Sequence, residues 1–237
     1  MALTKVIGSG VGELTDKVGL GLSSPAAPLH VQTSTDGTGL SGDDVYVARF
    51  HNQEATSDKS FGVDIQAGSS TTDQALRVKD HDGTNSLMIV DGVGNVTKPL
   101  NPSFRAMGNT GAYVTTSPVQ FPNLTSNNAG FNIGSHYNTS TYRFTAPVAG
   151  KYLFHLHMGI INIGSAGGHG YPYLRINATS IAYSYIQTPA SANYISAHVT
   201  QIFNLAANDY VDVIFGGSNG SYYANFTELS FQGCLLG

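Results

Sequence analysis

Two imidazoles stand two residues apart in the stretch GKYLFHLHMG, and these, His155 and His157, are the side chains of this sequence whose type and spacing most suggest chemistry. Alternate residues of a β-strand share a face. A strand here therefore sends both rings to one side with Leu153, while Tyr152, Phe154, Leu156 and Met158 fill the other. Both faces read as buried, one of them partly polar. Imidazoles in that setting either sit as neutral packing residues, hydrogen-bonded or stacked on other rings, or hold an ion. Catalysis has little else to draw on. Beyond residue 100 the carboxylates are Asp209, Asp212 and Glu228, which form no recognisable pair. No nucleophile elbow, zinc motif or phosphate loop occurs. The glycine-rich stretches GSGVGE and GSAGGHG lack a preceding buried strand and a following helix. The sequence reads as a non-enzyme.

The elements that would position these residues are strands. No window shows helical periodicity, and alternating apolar runs bounded by Gly, Asn, Asp or Ser recur, an all-β pattern. Charged residues are 11% of the chain, against roughly 25% in soluble domains. Only seven of the charges lie beyond residue 100, whereas all but three of the Phe and Tyr residues do. That shift predicts two architectural parts meeting near TKPLNPSF, where Pro99 and Pro102 interrupt any regular element. In the first part the pattern predicts strands at Leu29–Gln32, Val45–Phe50, Phe61–Ala67, Ala75–Val78 and Leu87–Val90, with turns at DHDGTN and DGVGNV. Such short strands with so few aromatics make a thin core, and oligomerisation is the cheap remedy.

A net charge of −4 and the lack of a basic cluster exclude the electrostatic footprint of nucleic-acid binding. No apolar run approaches the 18 or so residues of a membrane span, and the N-terminal residues lack the apolar centre of a signal peptide. The single cysteine, Cys234, allows no internal disulfide and reads as a small buried apolar residue. Asn123, Asn138, Asn177 and Asn225 open Asn-x-Ser/Thr triplets, which read as chance occurrences in a chain rich in Asn and Thr.

Two phrases, VGLGLSSPAAPLHV (Val18–Val31) and NSLMIVDGVGNV (Asn85–Val96), resemble segments of bacteriophage tail-fibre and tailspike chains. The likeness covers residues 1–98 and implies a trimeric β-stalk. The second part resembles the globular head of complement C1q and its tumour-necrosis-factor relatives, through HYNTSTYRFTAPVAGKYLFHLHMG, FNLAANDYVDVIF and the terminal FTELSFQGCLL, in that order. Asn208 stands where that family usually has glycine, a change Asn tolerates at a left-handed position. The resemblance implies an attachment segment at 1–25, a β-rich trimeric stalk at 26–99, and a ten-stranded jelly-roll knob at 100–237 that assembles as a homotrimer.

Carried onto this sequence, the family's pattern turns Tyr152 and Phe154 into the core and lines the three-fold axis with Leu153, His155, His198 and Phe231, with His157 one step further along. The bland reading leaves these imidazoles neutral at an interface. The sharper one places a metal or an anion on the axis, with His155, His157 and His198 as the ligands, although no cofactor is required by the fold. The family's topology also places three segments at the far end of the knob: Asn162–Pro172, Gln187–Tyr194 and Gly216–Asn225. Ser165, His169, Tyr171, Asn193, Tyr194, Asn219, Ser221, Tyr222 and Tyr223 are the candidate receptor contacts there, since Tyr offers rigid amphipathic surface and Ser, Gly and Asn adaptable hydrogen bonding.

The resulting expectation is a phage virion fibre, assembled in the bacterial host cytoplasm. It would join other virion proteins through residues 1–25 and bind a host surface receptor, with polysaccharide as the receptor class, through the knob. Two alternatives are a structural virion component, such as a capsid decoration or tail-tip protein, whose knob only drives trimerisation, and a secreted C1q-like ligand. Replacing Tyr222 and Tyr223 by Ala is expected to abolish adsorption of the knob to host cells without unfolding it. Unchanged cell binding would remove that segment from the contact.

Overall fold

The computed structural model describes residues 18–20, 29–31, 57, 63–108, 113–114, 118–124, 130–161, 169–187, 194–217, 221–223 and 229–236. The chain forms two compact units, Met1–Gln66 and Ala67–Gly237. This division falls well before the compositional break at Pro99, because a small local sheet groups with the second unit however few aromatics it holds. Among the described residues there is no helix; every regular element is a strand.

In the first unit β1 (Val18–Leu20) and β2 (Leu29–Val31) pair in parallel. The expected strand Val45–Phe50 lies outside the described residues. Val63–Ala67, expected as the end of another strand, is exposed and has no strand structure: its alternation offers an apolar face, but no described strand pairs with it.

In the second unit β3 (Gln74–Lys79), β4 (Ser86–Asp91) and β5 (Val96–Thr97) make a three-stranded antiparallel sheet. Its second turn is set by a carboxylate: Asp91 Oδ1 accepts the N–H groups of Val93 (3.0 Å) and Asn95 (2.8 Å). The register places Leu76 and Val96 beside Val90, and Val78 beside Met88. These five apolar side chains share one face, and none is buried.

The rest is a sandwich of two sheets. The first contains β7 (Tyr113–Val114), β17 (Ser221–Tyr223), β11 (Gly150–Ile161), β18 (Leu229–Leu235), β6 (Ser103–Met107) and β8 (Phe131–Ile133), with β15 (Tyr194–Leu205) along the free side of β11. The second runs β13 (Thr179–Tyr183), β12 (His169–Ile176), β16 (Tyr210–Gly217), β10 (Arg143–Thr145), β9 (Tyr137–Asn138), with β14 (Ile186–Gln187) also on β12. Several of these are pieces of two or three residues, so the described residues do not divide into the ten strands expected. β11 and β15 pair without a register break over twelve residues each. Asn208 adopts φ +72° in the turn before β16, the left-handed conformation its place in the motif requires. That turn is closed by Asp209 Oδ2, which accepts the Ala206 N–H at 2.8 Å.

Between the sheets lies an aromatic core. Phe104 stacks on Tyr137 (centroids 4.8 Å) and Phe144 (5.0 Å) and meets Phe231 edge-on (4.9 Å). Phe154 packs on Phe231 at 5.8 Å and Phe203 at 5.8 Å. A Cβ on Gly233 would come within 2.6 Å of the Phe154 ring, so glycine there lets ring and strand close up. The Tyr137 hydroxyl donates to the Phe121 carbonyl at 3.2 Å, and burial pushes its phenol far above the ordinary value. Tyr152, Phe154, Leu156 and Met158 are all fully buried, as the alternation of β11 predicts.

Phe231 is a correction. It was expected to line an axis outside the sandwich, but it is 0% exposed within a single chain. Register gives the reason: Phe231 lies opposite Leu156, opposed residues of an antiparallel pair share a face, and Leu156 faces the core. Truncating a fully buried Phe costs about 3–5 kcal/mol. Phe231→Ala is therefore expected to lower stability by about that amount in denaturant unfolding, even where the chain is dilute. A loss that grows with protein concentration would instead place this ring at an interface between copies.

Candidate functional site

The face of the first sheet that points away from the core carries the histidines. Across four strands Thr200 of β15, His155 of β11, Gln232 of β18 and Arg105 of β6 stand side by side. One step along, His198 lies opposite His157, and His157 opposite Ser230. One step the other way come Ile202, Leu153 and Cys234, with Ile202 53% exposed. The structure thus brings His155, His157, His198 and Leu153 onto one face. In the last strand the neighbours on that face are Ser230, Gln232 and Cys234.

His155 Nδ1 and Thr200 Oγ1 are 2.8 Å apart, as are His157 Nε2 and Ser196 Oγ. The His157 and His198 rings stack, 4.6 Å between centroids and 10° between planes; His155 and His198 are 5.7 Å apart. Metal ligation uses the in-plane lone pair of an imidazole nitrogen. Stacked, nearly parallel rings direct those lone pairs alongside one another, away from any common point. Among the described residues no group of three or more His, Cys, Asp or Glu side chains is arranged to hold a metal ion. The expected ligand set His155, His157 and His198 therefore does not form within one chain.

The opposite face of the sandwich, the outer surface of the second sheet, holds a cluster that sequence reading only half identified. His169 and Tyr171 were expected there. With Tyr173, Tyr183 and Tyr185 they make a continuous group of rings. Tyr171 lies 5.0 Å from His169, 5.1 Å from Tyr185, 5.9 Å from Tyr173 and 6.0 Å from Tyr183. Tyr173 and Tyr183 are 5.3 Å apart, His169 and Tyr185 6.0 Å. Tyr183 is 59% exposed and Tyr185 52%. Gly216 lies opposite Tyr171, and a Cβ there would reach within 3.3 Å of the Tyr173 ring, so glycine lets the rings lie flat on the sheet. Desolvation, then the neighbouring phenols, push the Tyr171 hydroxyl above its ordinary value, so this ring at the centre of the cluster presents a neutral hydroxyl. The nearby Arg175 is committed to Asp212, with Nε and Nη2 each donating at 2.8 Å. Arg143 Nε donates to the same 0%-exposed carboxylate at 3.3 Å. The signal for the three missed tyrosines was present: Tyr171 and Tyr173 alternate along β12, and Tyr183 and Tyr185 along the return.

Backbone pairing also gathers the three segments expected at the tip. In the second sheet His169 pairs with Gln187, and Gly170 with Gly217. In the first, Ile161 pairs with both Tyr194 and Ser221. All three segments therefore leave the sandwich at one end, beside the ring cluster. Tyr222 and Tyr223 sit in β17, paired with Val114 and Tyr113; Ser165, Asn193 and Asn219 lie outside the described residues.

On the histidine face, partial burial, followed by the charges of His198 and Arg105, holds His155 below the ordinary imidazole value. A histidine with a depressed folded pKa binds fewer protons folded than unfolded. Its stability contribution is complete above the unfolded value of about 6.5 and is lost as pH falls from there through the folded value. The hydrogen-bonded carboxylates Asp73, Asp80, Asp91 and Asp209 lie below 3.8 and act at lower pH. The melting temperature is thus expected to fall between pH 7.5 and 5, and His155→Gln to flatten that fall. A profile level over this range would remove His155 from the face.

The family model for the C1q domain matches residues 103–236. Among solved structures the chain is similar to the globular domain of zebrafish complement 1qA protein, at 19% identity over 58% of this chain and 98% of that one, with a TM-score of 0.44. No curated protein matches. With more than half its length matched, from the first sandwich strand to the last, the chain belongs to the C1q domain family.

Proposed function

We propose that this chain is the subunit of a homotrimeric bacteriophage virion fibre, assembled in the host cytoplasm, whose C1q-like knob holds a host surface polysaccharide. C1q domains commonly form trimers, and two surfaces of this chain favour that state. The apolar face formed by Leu76, Val78, Met88, Val90 and Val96 is uncovered in one chain, and a three-stranded sheet needs a covered face to persist. The outer face of the first sheet leaves Ile202 and Leu153 similarly uncovered. The fibre context rests on the resemblance of residues 1–98 to tail-fibre segments.

The observation that carries the adhesive reading is the ring cluster of His169, Tyr171, Tyr173, Tyr183 and Tyr185. It lies on the sheet opposite the histidine face, so trimer formation through that face leaves it open to solvent. Aromatic rings carry negative faces, which attract the weakly positive C–H faces of sugar rings, while neutral phenols donate and accept hydrogen bonds with sugar hydroxyls. Three such patches on one rigid trimer raise avidity through effective concentration, so each patch need bind only weakly.

Tyr171→Ala and Tyr185→Ala are each expected to reduce adsorption of the full chain to host cells, and retention on purified surface polysaccharide, at least tenfold, with the melting temperature nearly unchanged. Adsorption that survives both changes overturns the ring cluster as the contact. Adsorption that is lost while polysaccharide retention was never present shifts the receptor class to protein.

A further inference from the structure

We infer that the histidine face binds an oxyanion, centred on Arg105 and His155, where three copies of the chain meet. The inference rests on the proposed homotrimer but adds a site that the assembly itself does not require.

Arg105 is half-buried on this face, and its Nε is out of reach of solvent with no hydrogen-bond partner. A buried guanidinium nitrogen left unpaired is costly, and covering the face with another copy raises the cost by removing the remaining water. Gln232 separates Arg105 from His155 in the lateral row, and Arg105 is near enough for its charge to depress that imidazole. The groups facing His155 can be enumerated by strand. β15 offers Thr200 and His198; β18 offers Ser230, Gln232 and Cys234; β6 offers Ser103 and Arg105; β11 itself adds Lys151, Leu153 and His157. No carboxylate is among them. Among the described residues this face carries a guanidinium, an ammonium and three imidazoles and no acid, an arrangement that repels a cation and attracts an anion.

The donors are of the right kind. The guanidinium fork matches the oxygens of sulfate or phosphate, and the Gln232 side-chain amide is a neutral donor. When His155 Nδ1 accepts the Thr200 hydroxyl proton, its Nε2–H is free to donate to an oxygen even in the neutral ring. Protonation then adds charge on the same side of the site. Acid therefore has two opposed effects: it weakens the assembly through repulsion among Arg105, His155 and His198, and it strengthens the anion that offsets this repulsion.

Sulfate is the probe, because its charge is constant over the range that matters. Calorimetric titration of the full chain at fixed ionic strength, with sedimentation in parallel, is expected to show saturable sulfate binding by a trimer, at least fivefold tighter at pH 6 than at pH 8. Arg105→Gln is expected to lose binding at least tenfold. His155→Gln, which leaves the guanidinium in place, is expected to keep the pH 8 affinity and lose the pH dependence, so the site stays testable if the arginine variant assembles poorly. A trimer that binds no sulfate, or binds it equally in wild type and Arg105→Gln, overturns the anion site and leaves the fibre reading intact. A chain that sediments as a monomer overturns the assembly, and the site with it.

Discussion

The period of the strand governs this molecule. β11 is the central strand of its sheet, paired along one side by β15 and along the other by β18 and β17, and it must send every second side chain away from the core it helps to build. On the inner side the consequence is settled within one chain: Tyr152, Phe154, Leu156 and Met158 lock into rings from both sheets. On the outer side Leu153, His155 and His157 remain half-buried within one chain. A strand cannot be made apolar on one face only by composition; the other face has to be assigned a use. Here it is too apolar at Leu153 and Ile202 for a plain solvated surface and too basic at Arg105 and the histidines for an ordinary core.

The same constraint gives the sandwich two outer surfaces of different chemistry. The second sheet also has an outward face, and its strands decorate it differently. Near the middle, Arg175 and Arg143 clamp Asp212 on three neighbouring strands, which ties β10, β16 and β12 together with charge-assisted bonds and leaves one positive charge unbalanced. Toward the end where the three segments of the expected tip depart, the face turns to tyrosine. The rings at that end present stacking faces and hydroxyls rather than formal charge, which suits a ligand recognised by shape and stacking. The basic face and the aromatic face lie on opposite sides of one sandwich, so on the proposed reading assembly and recognition need not compete.

Much of this was legible before any coordinates. The alternation in GKYLFHLHMG gave the inner and outer sets of β11, and the family resemblance implied that His198 shares a face with His155, which the register of β15 against β11 bears out. Asn208 occupies the left-handed turn its motif demands. Phe231 was not legible in the same way. Its strand SFQGCLL has apolar residues at both parities, so alternation alone does not say whether Phe231 or Gln232 looks inward; only pairing with Leu156 decides it. The tyrosines at 173, 183 and 185 were passed over because attention fell on the loops, whereas the rings that meet lie on the strands leading into and out of them. Val63–Ala67, the described part of the expected strand Phe61–Ala67, has the right pattern but pairs with no strand among the described residues, a reminder that alternation describes a surface and pairing makes a strand.

The sign of the charge decides what the imidazoles are for. Counting histidines alone favours a metal, since a three-fold axis multiplies each ligand. Yet a divalent cation needs its ligands neutral and its surroundings at least not positive, and metal-bound imidazoles are ordinarily steadied by a carboxylate or carbonyl behind them. The groups behind these rings are Thr200 and Ser196 hydroxyls, and the charges acting on His155 are those of His198 and then Arg105, both positive. An arginine with a buried, unpaired Nε beside a histidine held below its ordinary pKa describes a place short of negative charge. Since residues 100–237 contribute only Asp209, Asp212 and Glu228 as carboxylates, with Asp212 already spent on two arginines and Asp209 on the turn before β16, the sequence itself has almost nothing with which to supply it. A small anion from solution is the economical counter-charge, and in the proposed trimer its retention would make the grip between copies depend on the ionic composition and acidity of the medium.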